Sequence, residues 1–255
     1  MDLGLEGRVV LVTGGSRGIG RAAALAFGRE RARVALTFHS DRERADAVVG
    51  DLRAAGADAL AVPMALDDDA SIRAAVGAVL DRWAQVDVLV NNAVQWGTHG
   101  PWDAPPFEEV EPSSWRPLLE VNVEGHYRAI QCVVPSMRTR RWGRIVNVSS
   151  GIAVDGLAGA GPYAAAKAAL HGLTRTLAKE LGPDGILTNV VMPGLTLTER
   201  NRERIPAVMR DEVARSSPIR RLLAPEEVVP TIVFLASAAN TAVIGEIVRA
   251  SGGVS

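Results

Sequence analysis

Residues 13–20 read Thr13-Gly14-Gly15-Ser16-Arg17-Gly18-Ile19-Gly20, between the apolar run Val9–Val12 and a segment of helical pattern. Strand, glycine-rich turn and helix in that order form the setting a dinucleotide-binding turn requires. Gly14 permits a tight turn, Gly18 lets backbone approach a pyrophosphate, and Gly20 lets the helix pack close to the sheet. The helix then offers free N–H groups and its positive dipole end to phosphate. A glycine turn without a ligand is the plainer reading of these residues alone; their place after the first strand argues against it.

The alternation continues outward. Arg33–Phe38, Leu60–Val62, Val86–Val90, Ile145–Val148, Leu187–Val191 and Ile247–Arg249 are short apolar runs like the first. Runs apolar on both faces suit a buried parallel sheet. Between them, Ile72, Ala75, Val76, Val79, Leu80 and Trp83 recur at helical spacing, as do Leu170, Leu173, Leu177 and Leu181. The pattern predicts a single α/β domain over residues 1–255, doubly wound, with a parallel sheet of about seven strands and helices on both faces. Two stretches break the rhythm. Gln95–Pro117, with Trp96, Trp102, Trp115 and several prolines, is expected to hold little regular structure. Gly194–Arg221 is rich in arginine and ends in Ser216-Ser217-Pro218 before its last residues. The loops around 95–117 and 194–221 are the candidate walls of a substrate site.

Composition narrows the partners. The formal net charge is −1, so no basic field draws the chain to nucleic acid or to a membrane surface. Cys132 is the sole cysteine and cannot form an internal disulfide. The N-terminus has an acid at position 2 and only a short apolar run, unlike a secretory signal. No stretch reaches the ~18 apolar residues of a membrane span. A cytoplasmic protein is expected. His99, His126 and His171 show no metal-ligand spacing, and Met64, Met137, Met192 and Met209 form no stripe.

Tyr163 and Lys167 stand at i and i+4, on one face of a predicted helix. A free phenol has a pKa of ~10, too high for easy proton exchange at neutral pH. A neighbouring ammonium favours the phenolate and lowers that value. Tyr163 can then act as general acid toward a carbonyl oxygen, or as general base toward an alcohol. Ser150 follows the strand-like Arg144-Ile145-Val146-Asn147-Val148, and its hydroxyl can stabilise charge on the same oxygen. Alone, the pair reads as a surface contact on an alanine-rich helix; with Ser150 and the glycine turn it reads as a proton-transfer set.

Thr13-Gly14…Gly18…Gly20, Asn91-Asn92-Ala93, Asn122, Ser150, Tyr163 with Lys167, and Pro193-Gly194 occur in the order of the short-chain dehydrogenase/reductase family, which the chain resembles from about residue 5 to its last glycines. The resemblance implies a Rossmann-type fold and a nicotinamide cofactor. It implies catalytic roles for Asn122, Ser150, Tyr163 and Lys167, with Ser150 rather than Ser149 selected by the family's spacing to the tyrosine. Lys167 would hold the nicotinamide ribose as well as lower the phenol's pKa, and Asn122 would hold a water in a proton relay. Cofactor contacts are implied at Gly14, Ser16, Arg17, Gly18, Ile19, Gly20, His39, Ser40, Asn92, Ala93, Tyr163, Lys167, Pro193, Gly194, Thr196 and Thr198; no metal is implied. Phe38 stands where NAD-using relatives commonly have Asp, His39 lies where NADP-using relatives often have Arg, and Arg17 is typical of NADP users, so NADP(H) is expected over NAD(H).

Three positions depart from the family. Val94 replaces a glycine after Asn91-Asn92-Ala93, Ala65 replaces an Asp after the third strand unless Asp67 substitutes, and Arg31 replaces a glycine before the second strand. The nearest family style is that of 3-oxoacyl-acyl-carrier-protein reductases and polyketide ketoreductases. The expected activity is reduction of a carbonyl in an acyl thioester, polyketide or related metabolite. A sugar or polyol dehydrogenase is the second enzyme reading, and a non-catalytic NADP-sensing protein the reading of another class. Arg138, Arg140, Arg141 and Arg144 are a candidate dock for an acyl carrier protein, or simply a solvated helix end. Trp96 and Trp102 either stack on an aromatic ketone or pack the lid. Relatives of this type imply a homotetramer or homodimer.

Overall fold

The computed structural model describes residues 1–97 and 104–253. Its strands are β1 (Val9–Val12), β2 (Arg33–Phe38), β3 (Ala59–Pro63), β4 (Val88–Asn91), β5 (Gly143–Val148), β6 (Ile186–Pro193) and β7 (Ile247–Ala250). They form one seven-stranded sheet in the order β3-β2-β1-β4-β5-β6-β7. Each neighbouring pair is parallel. The chain winds outward from β1 to β3, then returns to β4 beside β1. That reversal is the switch point where ligands of open α/β sheets collect, at the carboxyl ends of the strands.

β1 is buried along its whole length, and its side chains alternate between two cores. Val10 and Val12 join Phe27 of α1 (Gly18–Arg29), Val48 and Leu52 of α2 (Arg42–Ala54) and Ile232 of α10 (Pro225–Leu235). Val9 and Leu11 join Ile72 and Val79 of α3 (Asp69–Trp83), Ile130 and Val133 of α5 (His126–Arg140) and Leu177 of α7 (Gly161–Leu181). This is the period-two alternation of a strand covered on both faces. Helix starts follow local chemistry: the Asp41 carboxylate accepts from Arg44 N at 3.1 Å, and that of Asp68 from Ala70 N at 2.9 Å.

The two stretches expected to be loops carry more structure than their composition suggested. A short 3₁₀ turn (Phe107–Glu109) and α4 (Pro112–Leu119) occupy part of the first, and a π-helical turn (Glu120–Gly125) joins α4 to α5. The second holds α8 (Glu199–Arg204) and α9 (Ala207–Ser216). Neither α8 nor α9 has a fully buried residue, so no apolar stripe marks them in the sequence.

Candidate active site

The glycine-rich turn is tied to its neighbours by backbone groups. Gly15 N donates to Thr37 O at 2.9 Å and Gly14 N to the Thr37 hydroxyl at 3.2 Å. The Thr13 hydroxyl accepts from Asn92 N and Ala93 N, each at 2.9 Å. The Asn92 side chain donates to Thr13 O at 2.9 Å and Gly14 O at 3.2 Å, so its amide braces the turn. A Cβ at Gly20 would lie 2.3 Å from Gly14 O and 2.4 Å from Asn92 Nδ2. Only glycine lets α1 start this close to the turn. Gly18 has φ +55, and Arg17 before it is extended and caps no N–H with its side chain. The first turn of α1 is therefore left for an anion, and the site fits a dinucleotide pyrophosphate.

A cleft of about 580 Å³ runs from this turn to Tyr163. Its wall contains Gly14, Ser16, Arg17, Gly18, Ile19, His39, Ser40, Asn92, Ala93, Ser150, Tyr163, Lys167, Pro193, Gly194, Thr196 and Thr198. Gly20 and Asn122, also expected at the site, are not part of that wall. Gly20 lies beneath the turn. Asn122 is fully buried in the π-helical turn, accepting from Gln95 N at 2.9 Å and donating to Gln95 O at 2.8 Å. Its side chain thus pins the segment that carries Trp96. Asp67 joins the wall and Ala65 does not, while Val94 lines it where the family has glycine.

Tyr163 sits near the start of α7 and is buried, at 7% exposure. Against the expectation that the Lys167 ammonium lowers it, burial pushes the phenol above its ordinary value; Ser150 and the positive charge of Arg200, not Lys167, pull the other way. Lys167 lies one turn on, 2% exposed, and donates from Nζ to Val148 O at 2.9 Å. Burial lowers its pKa to about 7. Ser149 faces elsewhere: its hydroxyl donates to Lys167 O at 3.1 Å and lies 2.8 Å from His171 Nε2.

Three contacts escaped the sequence reading. Trp96 stacks on Tyr163, ring centroids 4.8 Å apart at 13°. The Arg200 guanidinium lies 5.2 Å from the Trp96 ring centroid. His126, fully buried, sets Nε2 2.9 Å from Ala93 O. Trp96 thus packs between the Tyr163 ring and the Arg200 guanidinium; Trp102 and His99 lie outside the described residues. The arginines offered as a docking patch bond within the chain, while Arg138 and Arg141 stay 52% and 72% exposed at the side chain. Arg138 pairs with Asp184 at 2.8 Å, Arg141 donates to Pro183 O at 2.8 Å, and Arg144 is buried against Ser237 O and Asn240 O.

Residues 8–208 match the family model for short chain dehydrogenase. The chain belongs to the short-chain dehydrogenase family. It is 36% identical over 252 residues to the 3-oxoacyl-[acyl-carrier-protein] reductase FabG of Thermotoga maritima, covering 98% of each chain. A solved dehydrogenase/reductase of Sinorhizobium meliloti superposes with a TM-score of 0.88 at 32% identity, over 99% of this chain and 96% of that one. The structure of an NADH-dependent reductase of alginate metabolism gives a TM-score of 0.87 at 28% identity, over 98% and 97%. This short-chain dehydrogenase is therefore an oxidoreductase with the nicotinamide-dependent fold of its family. Among the described residues no helix is long and apolar enough to cross a membrane, and no cluster of His, Cys, Asp or Glu could hold a metal ion.

Proposed function

We propose that this short-chain dehydrogenase is an NADPH-dependent ketoreductase acting on a carbonyl of an acyl thioester, polyketide or related metabolite. The observation that supports it is the buried Tyr163 phenol, in one cleft with Ser150, Lys167 and the glycine-rich turn. The nicotinamide, when bound, supplies or takes the hydride. Ser16, Arg17, Gly18 and Ile19 would hold its phosphates at the head of α1, and Ala93, Pro193, Gly194, Thr196 and Thr198 would hold the rest of the cofactor. Ser150 steadies the carbonyl oxygen, and Tyr163 gives that oxygen its proton. Lys167 would hold the ribose and, in its protonated form, favour the phenolate that remains. Asn122, by holding Gln95, fixes the wall opposite Tyr163.

The preference for the 2′-phosphate rests on Arg17, His39 and Ser40 in the wall and on Phe38 in place of an acid at the end of β2. A cation there binds the phosphate, whereas an acid would repel it. The reductase of Thermotoga maritima named for acyl-carrier-protein substrates supports the thioester class, with the carrier protein itself as the partner that presents it. We read the protein as cytoplasmic and as a homotetramer or homodimer on the same resemblance. Initial rates with NADPH and NADH and an acetoacetyl thioester test the reading. The expected result is a kcat/KM at least about tenfold higher with NADPH, lost on Arg17→Ala. An equal or higher value with NADH overturns the cofactor assignment.

A further inference from the structure

Arg17, Arg200 and Arg204 all line the cleft, and among the described residues none of them forms an ion pair with an acid. Arg200 is the one of the three nearest the chemistry: its guanidinium lies against Trp96, and Trp96 lies against the Tyr163 ring. Among the described residues the acids in the same wall, Asp67 and Glu199, make no salt bridge to it. A ring face attracts a cation without neutralising it. Burial and the like charges of Arg204 and Arg17 lower the pKa of Arg200 to about 10, so its charge is held at a cost. An anion entering the cleft relieves that cost and meets a planar donor fork. Arg200 lies in the first turn of α8, a helix with no buried residue, and no core packing explains a guanidinium turned inward.

We propose that Arg200 selects the substrate: it binds a carboxylate carried a few bonds from the carbonyl that Tyr163 protonates. Trp96 sets the spacing between the two groups, and Asn122 holds Trp96 in place through Gln95. The favoured substrate is an oxo acid, or an acyl metabolite with a free carboxylate near the ketone, rather than a neutral ketone of the same shape. This rests on the reading of Tyr163 as proton donor. The same anion-binding chemistry could serve a phosphate of the dinucleotide, and the experiment separates the two.

The purified enzyme is assayed with 3-oxo and 4-oxo acids and their methyl esters, as wild type, Arg200→Gln and Arg200→Lys, with NADPH affinity measured in parallel. The ratio of kcat/KM for acid over ester is the readout, because any general loss of activity cancels in it. We expect a wild-type ratio above about ten, a fall to near one in Arg200→Gln through KM of the acid, and retention of most of the preference in Arg200→Lys. A wild-type ratio near or below one overturns the proposal. So does a ratio unmoved by Arg200→Gln, and in that case a loss of NADPH affinity assigns Arg200 to the cofactor. Ester turnover without acid preference leaves the ketoreductase reading standing and removes only this one. No turnover of either member overturns this proposal; turnover of an acetoacetyl thioester by the same preparation then leaves the ketoreductase reading standing, and its absence removes that reading too.

Discussion

His126 shows how a single residue near the site ties stability to pH. It is fully buried, its Nε2 faces Ala93 O, and its Nδ1 has no hydrogen-bond partner among the described residues. Burial, and then the positive charge of Lys167, lowers its pKa from 6.5 to about 3. The unfolded chain therefore takes up this proton near pH 6.5, while the folded chain refuses it until about pH 3. Between those limits the unfolded state binds more protons, so stability falls as pH falls, by about 1.4 kcal/mol per unit from this group. Unfolding free energies at pH 6.5 and pH 5 are expected to differ by about 2 kcal/mol more in the wild type than in His126→Gln. Parallel losses in the two proteins would remove His126 as the cause. Nothing in the sequence marks this role, because a lone histidine has no spacing to read. Ser150, Tyr163 and Lys167 were legible because their order and spacing are fixed by one helix and one strand end. Arg200 and Trp96 were not, because their meeting depends on how two irregular segments fold toward each other.

Among the elements, the connection between α1 and β2 carries a strain that the sequence flagged and the backbone explains. Arg31 stands where the family has glycine, and its φ is +57. In that left-handed region a Cβ costs roughly 1 kcal/mol, while glycine is at ease. The side chain returns little: it is 76% exposed and pairs with Glu6, itself 72% exposed. Arg31→Gly is expected to raise the stability of the protein by about 1 kcal/mol, read as a higher urea midpoint at unchanged slope. An unchanged or lower midpoint would mean that the turn has no strain to release. The strands were legible to within a residue or two of their ends. β4 begins at Val88 rather than Val86, although Asp87 already bonds to both neighbouring strands: its N donates to Val9 O at 2.9 Å, its O accepts from Arg144 N at 3.0 Å, and its carboxylate accepts from Val9 N at 2.8 Å. The helices α8 and α9 were illegible for the opposite reason: a segment such as Glu199-Arg200-Asn201-Arg202-Glu203-Arg204 has no apolar face to reveal a period.

At the scale of the whole molecule, the sheet order brings together groups far apart in the chain. The turn after β1, Ala93 after β4, Ser150 after β5 and Gly194 after β6 meet because every strand runs the same way and ends on the same edge. The α/β alternation was enough to predict that edge. It could not predict the cleft's chemistry beyond it, since the walls come from segments whose shape local sequence does not fix. The account as a whole stands on Tyr163 as the proton donor to a reduced carbonyl. The direct test is the loss of absorbance of NADPH with purified protein and an oxo acid or acetoacetyl thioester, run beside Tyr163→Phe with its NADPH affinity measured. The account predicts turnover in the wild type and a drop of at least about a hundredfold in kcat in the variant, with NADPH still bound. Equal turnover in the two proteins, or NADPH binding with no turnover of any carbonyl by the wild type, would contradict it.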